Sequence, residues 1–132
     1  PISDMKLLNN LYLATCSNTE NYIKIIDWFS GATIKTLTST FGFGILKLAL
    51  SSESILFSGD IDGNIIQWNY DTGEILRTLT GHNNDILSLI VLNNYKYLVS
   101  GSEDNTLKIW DIETGALLKS YTNIYRPRAF DI

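Results

Sequence analysis

The chain has 132 residues, of which 45% are hydrophobic and 18% charged, and this balance is typical of a globular domain and excludes a disordered segment. Its formal net charge of −4 and its dispersed Lys and Arg residues exclude a broad electrostatic surface for nucleic acid or for an anionic membrane. The single cysteine, Cys16, excludes an internal disulfide, and the lack of a signal peptide or long apolar run favours a cytoplasmic or other intracellular protein.

The dominant feature of the sequence is an internal repeat. Gly31, Gly73 and Gly115 recur every 42 residues, and Trp68 and Trp110 are separated by the same interval. The three units align from residue 1 to residue 126 without a gap. Three further columns of this alignment are Cys16 with Ser58 and Ser100, Glu20 with Asp62 and Asp104, and Lys35 with Arg77 and Lys119. A fixed period of this length predicts a repeat architecture of stacked structural units.

Each repeat is predicted to contain four short strands, designated a to d. The units cover about 1–38, 45–80 and 86–122, and residues 123–132 are expected to begin a further unit. The pattern of β-branched and aromatic residues predicts strands at 45–50, 54–58, 64–68 and 74–79 in the second unit, and at 86–92, 97–101, 106–110 and 116–121 in the third. Asp62-Gly63 is a strong hairpin signal between strands b and c.

Particular residues give the repeat a family resemblance. Gly81-His82, Ser100-Gly101, Asp104 and Trp110-Asp111 of the third unit resemble the signature of the WD-repeat family. The resemblance weakens in the first unit, where Ile26 stands at the tryptophan position. It implies an all-β WD-repeat β-propeller, here three four-stranded antiparallel blades of a partial propeller.

The resemblance also implies a hydrogen-bonded network inside the third blade. His82 is expected to bond Ser100 and Asp104, and Ser100 to accept the indole N–H of Trp110. In the second blade we expect the same roles for Ser58, Asp62 and Trp68. This set is shorter because Thr40 stands where histidine is expected.

Three blades do not close a ring, because propellers usually have about four to eight. We therefore expect further blades, supplied by more of the same chain or by a second copy of it.

The sequence contains residue types that could serve catalysis or metal binding, but the repeat accounts for them. His82, Ser100 and Asp104 are residue types of a hydrolase triad, but their spacing is that of the repeat and no Gly-x-Ser-x-Gly elbow occurs. Cys16 is interpreted as a small core residue, and one His with one Cys does not form a metal cluster. We expect no enzyme activity, no cofactor and no metal.

The candidate partner-binding residues lie in d–a loops and b–c turns, which the resemblance places on one face. They are Phe43, Ile45, Ile61, Asp85, Leu87, Glu103, Arg126 and Arg128. For Phe43 and Ile45 a core position is the alternative, and the two arginines are either ligands of an acidic or phosphorylated peptide or solvated charges. We interpret the Lys35, Arg77 and Lys119 column as protection of edge strands.

The function predicted from these features is a protein–protein interaction scaffold that docks other proteins or peptides on the loop face of a propeller. The alternative is the substrate-recognition region of a larger enzyme complex, such as a ubiquitin ligase receptor. We expect neither nucleic acid nor a membrane as a partner.

Overall fold

The described part of the chain folds into three antiparallel sheets, each of four strands in chain order. The computed structural model describes residues 1–42, 44–52, 54–92 and 94–125. The first blade comprises β1 (Ile2–Leu7), β2 (Tyr12–Ser17), β3 (Tyr22–Asp27) and β4 (Thr33–Thr38). The second comprises β5 (Ile45–Ser52), β6 (Ile55–Asp60), β7 (Ile65–Asn69) and β8 (Glu74–Leu79). The third comprises β9 (Ile86–Leu92), β10 (Tyr97–Ser102), β11 (Leu107–Asp111) and β12 (Leu117–Tyr121).

The four strands of each blade are strands a to d of the repeat. The all-β propeller-blade fold expected from the sequence is therefore confirmed. In the described ranges no helix has the length and apolar character needed to cross a membrane.

The repeating glycines end the turns between strands c and d. Gly31, Gly73 and Gly115 have φ angles of 74°, 81° and 74°, a left-handed conformation that is costly for other residues. In the first of these turns, Asp27 Oδ1 accepts hydrogen bonds from the Phe29 and Ser30 amides, at 2.9 and 3.0 Å. An acidic or amide side chain followed four residues later by glycine therefore specifies this turn.

The hydrophobic core consists of two layers between successive blades. In the layer between the first and second blades, Leu37 and Ile23 pack with Trp68, and all three side chains are 0% exposed. In the layer between the second and third blades, Phe57 and Leu98 are likewise 0% exposed. The middle blade thus buries one face against the first blade and the other against the third, and each of these buries one face against the middle blade.

The register of the first blade differs from the gapless alignment predicted from the sequence. Strands b and c are joined by three equivalent cross-strand pairs, which are Thr15–Lys24, Ser58–Ile66 and Ser100–Lys108. Thr15, and not Cys16, therefore occupies the position of Ser58 and Ser100. The alignment of Cys16 with these serines was wrong because the b–c turn of the first blade has one more residue than the others, and a turn absorbs an insertion without disturbing the ladder. The interpretation of Cys16 as a small core residue is confirmed, since it is 3% exposed.

A second departure occurs before the third blade. Leu48 pairs with Ser58, and Leu89 pairs with Ser100, so strand a shifts by one residue relative to strand b. The connection between β8 and β9 is correspondingly shorter. The 42-residue period thus holds for strands c and d, while the connections absorb single-residue changes.

Candidate functional site

The candidate site is the edge of the blades where b–c turns and d–a connections meet. We call it the loop face, and it comprises residues 18–21, 61–64 and 103–106 with 39–42, 44 and 80–85. In a four-stranded antiparallel sheet the end of strand b, the start of strand c and the end of strand d lie at the same edge. The loop face is therefore a direct consequence of strand order.

Backbone hydrogen bonds fix the connections against the turns. The Gly44 amide donates to the carbonyl of Glu20 at 2.9 Å, and the Ile61 amide donates to the carbonyl of Gly44 at 2.9 Å. One residue of the β4–β5 connection thus joins the turns of two blades. The Glu103 amide donates to the carbonyl of Asp85 at 2.9 Å, which repeats the second of these bonds in the third blade. The loop face is consequently a preorganised surface.

The third blade contains a continuous polar network beneath this face. The Trp110 indole N–H donates to Ser100 Oγ at 2.8 Å, and Ser100 Oγ lies 2.7 Å from His82 Nε2. His82 Nδ1 lies 2.9 Å from Asp104 Oδ2. Because the carboxylate only accepts, His82 carries its proton on Nδ1 and the Ser100 hydroxyl donates to Nε2.

The network sets the charge states of its members. Burial lowers the pKa of His82 below its ordinary value of 6.5, and this effect outweighs the opposing influence of Asp104. Burial alone would raise the pKa of Asp104, but hydrogen bonds from Thr106, the Asn83 amide and His82 lower this pKa to about 2. The third blade therefore holds a neutral imidazole beside a carboxylate that is ionised at neutral pH.

In the second blade the network is shorter than the sequence suggested. The Trp68 indole N–H donates to Ser58 Oγ at 2.8 Å. The prediction that Asp62 belongs to this network was wrong, because Asp62 is exposed. Thr40, at the histidine position, is also exposed and supplies no imidazole to connect Ser58 with Asp62. Asp60 organises the turn instead, since its Oδ1 accepts from the Asp62 and Asn64 amides at 2.9 and 2.8 Å.

The hydrogen-bonded network of the third blade is too buried for a substrate of hydrolysis to reach it. Ser100 is 0% exposed and His82 is 6% exposed, so the hydroxyl is sealed from any substrate. Burial raises the pKa of the Cys16 thiol, whose sulfur contacts Ser3 Oγ at 3.4 Å. Within the described residues no group of three or more His, Cys, Asp or Glu side chains is placed to hold a metal ion.

The structure separates the predicted partner-binding residues into two groups. Ile45 is 2% exposed and Leu87 is 9% exposed, so both are core residues, and their proposed contact with a partner is corrected. Ile61 is 36% exposed, Glu103 is exposed and Asp85 is half-buried, so these three are accessible on the loop face. The remaining candidates lie outside the described residues: Phe43, Arg126 and Arg128.

Charge is the property of the loop face that the sequence reasoning missed. The described residues of the loop face include five acidic residues and no Lys or Arg. The five are Glu20, Asp62, Asp85, Glu103 and Asp104. Net charge alone gives no indication of this separation. The signal is present in the sequence, since each b–c turn contains an acid and none contains a base.

Solved structures identify the fold. The crystal structure of the WD40 β-propeller domain of Doa1 is 28% identical, with a TM-score of 0.83 over 92% of this chain and 40% of that chain. A chain in the mitotic checkpoint complex is 22% identical, with a TM-score of 0.82 over 92% of this chain and 37% of that one. The structure of U3-55K is 20% identical, with a TM-score of 0.84 over 92% and 39%.

These likenesses define a class, the β-propellers, of which the chain forms three blades. Residues 73–111 match the family described as WD domain, G-beta repeat, and the solved structures that the chain resembles include a WD40 β-propeller domain. No curated protein matches it. The chain spans only about two fifths of the length of the structures it resembles. WD40 propellers generally mediate protein–protein interactions.

Proposed function

We propose that this chain is part of an interaction scaffold whose loop face binds a basic segment of a partner protein. The observation that carries the proposal is the single sign of charge on a preorganised surface, where acids from all three blades face the same side. Complementary charge accelerates encounter and selects partners, whereas like charge excludes them.

An apolar contact accompanies the charges. Ile61 projects from the middle blade, 36% exposed, and its amide is held by the Gly44 carbonyl. Asp62 follows it in the same turn and Glu20 lies in the adjacent turn of the first blade. A basic segment with one apolar side chain among its Lys or Arg residues is the partner that matches this arrangement.

The alternative function is recognition of a client within a larger enzyme complex, such as a ubiquitin ligase receptor. It depended on Arg126 and Arg128, which lie outside the described residues. An acidic or phosphorylated client would be repelled by the carboxylates of the described face.

Peptide binding tests the proposal. Fluorescence anisotropy is measured with a labelled peptide in which Lys and Arg flank one Leu, and with a counterpart in which Glu replaces every base. We expect only the basic peptide to bind, and we expect its affinity to fall as the salt concentration is raised. Equal binding of the two peptides would overturn the proposal.

Two charge-reversal variants locate the site. Asp85→Lys combined with Glu103→Lys changes the loop face, whereas Glu74→Lys combined with Glu113→Lys makes the same charge change at exposed positions of the opposite edge. We expect the first pair to weaken binding by about tenfold or more, and the second to have little effect. Equal losses would show a nonspecific response to net charge and would contradict a site on the loop face.

A further inference from the structure

The b–c turn of the second blade presents a carboxylate that the fold itself does not use. Asp62 is exposed, and within the described residues its carboxylate accepts no hydrogen bond and forms no ion pair. The equivalent carboxylate of the third blade, that of Asp104, is bound to His82 and Thr106. Because Thr40 stands at the histidine position in the second blade, the carboxylate there is released from this structural role.

An apolar side chain lies directly beside this carboxylate. Ile61 precedes Asp62 in the turn and packs on the backbone of Gly44, where a Cβ would lie 2.7 Å from Ile61 Cγ2. The Ile61 amide donates to the Gly44 carbonyl at 2.9 Å, which fixes the turn on the β4–β5 connection. Ile61 still keeps 36% of its surface exposed. Because Glu103 occupies the equivalent position of the third blade, that turn lacks the apolar member of the pair.

The two oxygens of the Asp62 carboxylate differ in their surroundings. Oδ2 lies against Gly42, since it is 3.4 Å from the position that a Cβ would take there, whereas Oδ1 is more than 4 Å from that position. A guanidinium binds a carboxylate best through two parallel N–H···O bonds, which require both oxygens to be open. An ammonium group acts as a point charge and requires only one oxygen. This geometry therefore favours lysine over arginine as the group that approaches Asp62.

A lysine side chain has both properties that this surface requires. Lysine commonly lays its methylene chain along an apolar surface and keeps its charged head in a polar environment. Ile61 and Asp62 are adjacent in one tight turn, so the chain and the head of one lysine reach both. The described residues of the loop face contain no Lys or Arg that would compete for the carboxylate.

We propose that Ile61 and Asp62 form a lysine subsite of the loop face, which selects lysine over arginine in the basic segment of the partner. The inference rests on the proposed function, because it names the side chain that the loop face recognises in that segment. The methylene chain of the lysine lies on Ile61, and its ammonium group donates to Oδ1 of Asp62. Acetylation of this lysine removes its charge and therefore the contact with Asp62.

Fluorescence anisotropy with three peptides of one sequence tests this selection. The first peptide carries lysine at every basic position, the second carries arginine there, and the third carries acetyl-lysine. We expect the lysine peptide to bind about fivefold or more tightly than the arginine peptide, and the acetylated peptide not to bind.

Variants of the turn show whether the preference arises at this subsite. Asp62→Asn and Ile61→Ser are each expected to weaken binding of the lysine peptide about fivefold or more and to remove its advantage over the arginine peptide. Glu113→Gln and Leu76→Ser are the matched controls, because each makes the same kind of change at an exposed position outside the loop face. A far-ultraviolet circular dichroism spectrum establishes that each variant is folded.

The outcomes separate this inference from the proposed function. Equal affinities of the lysine and arginine peptides for the wild-type chain would overturn the lysine subsite and leave the acidic binding surface intact. A lysine preference that persists unchanged in Asp62→Asn would likewise overturn the subsite, because the selection would then arise elsewhere. Absence of binding by every peptide would overturn both proposals.

Discussion

The Ser100 hydroxyl accepts the indole N–H of Trp110 at 2.8 Å. The equivalent contact from Trp68 to Ser58 has the same length, but only in the third blade does the serine continue to a histidine and a carboxylate. The second and third blades thus share one hydrogen bond and differ in what its serine contacts next, which allows matched comparisons within one chain.

The first prediction compares two serines. Ser100→Ala leaves two buried groups without a partner, the indole N–H of Trp110 and Nε2 of His82, whereas Ser58→Ala leaves only the indole N–H of Trp68. We expect losses of about 3 kcal/mol and about 1.5 kcal/mol respectively in the free energy of unfolding, measured in urea. Equal losses would show that His82 contributes nothing through Ser100.

The second prediction concerns acid. The folded-state pKa of His82 lies below 6.5, so the unfolded chain binds more protons as the pH falls below that value, and stability decreases. The pKa of Asp104 falls from 3.8 to about 2 on folding, which removes further stability as the pH falls towards 2. Urea unfolding between neutral and acidic pH is expected to show this decline, and His82→Gln is expected to flatten its upper part. A wild-type profile that rises on acidification would contradict the assignment.

The third prediction compares two glycines with positive φ. Gly63 has a φ of 87°, and a Cβ there would lie 2.7 Å from the carbonyl oxygen of His82, whereas a Cβ on Gly31 meets nothing within 4 Å. Gly31→Ala is expected to cost about 1 kcal/mol from backbone strain alone. Gly63→Ala is expected to cost about 3 kcal/mol or more, because the d–a connection must also move. Thermal unfolding of the two variants measures the difference. Similar losses of stability would contradict the close contact between Gly63 and the carbonyl of His82.

The fourth prediction concerns the contact between the second and third blades in which Arg77 Nη1 donates to the carbonyls of Ile112 and Glu113. Arg77→Met removes two hydrogen bonds to the third blade and is expected to lower stability by about 2 kcal/mol. Arg77→Lys keeps a cation in the same position, as Lys35 does, and is expected to cost less than about 1 kcal/mol. If the wild type and Arg77→Met have the same free energy of unfolding in urea, the contact of Arg77 with the third blade does not stabilise the fold.

The architecture was predictable because the repeat places the same turn glycine in every unit and a buried tryptophan in the second and third. Trp68 and Trp110 gave the position of strand c, and Gly73 and Gly115 gave the turn that follows. These residues specify their positions physically, by burial and by positive φ.

Other features were not predictable from a single spacing. Cys16 was displaced from the serine column by one extra turn residue, since an exposed turn changes length at little energetic cost. Arg77 reads as an edge charge in the sequence, and only the packing of the next blade reveals its carbonyl partners. The shared acidity of the loop face required the three-dimensional convergence of turns that are distant in sequence.

Amide hydrogen exchange with and without the basic peptide tests the central claim most directly. We expect slower exchange at saturating peptide in the loop-face segments 61–64, 80–85 and 103–106, and unchanged exchange in the opposite turns at 70–73 and 112–116. Protection confined to the opposite turns, or no protection anywhere at saturation, would contradict a binding surface on the acidic loop face.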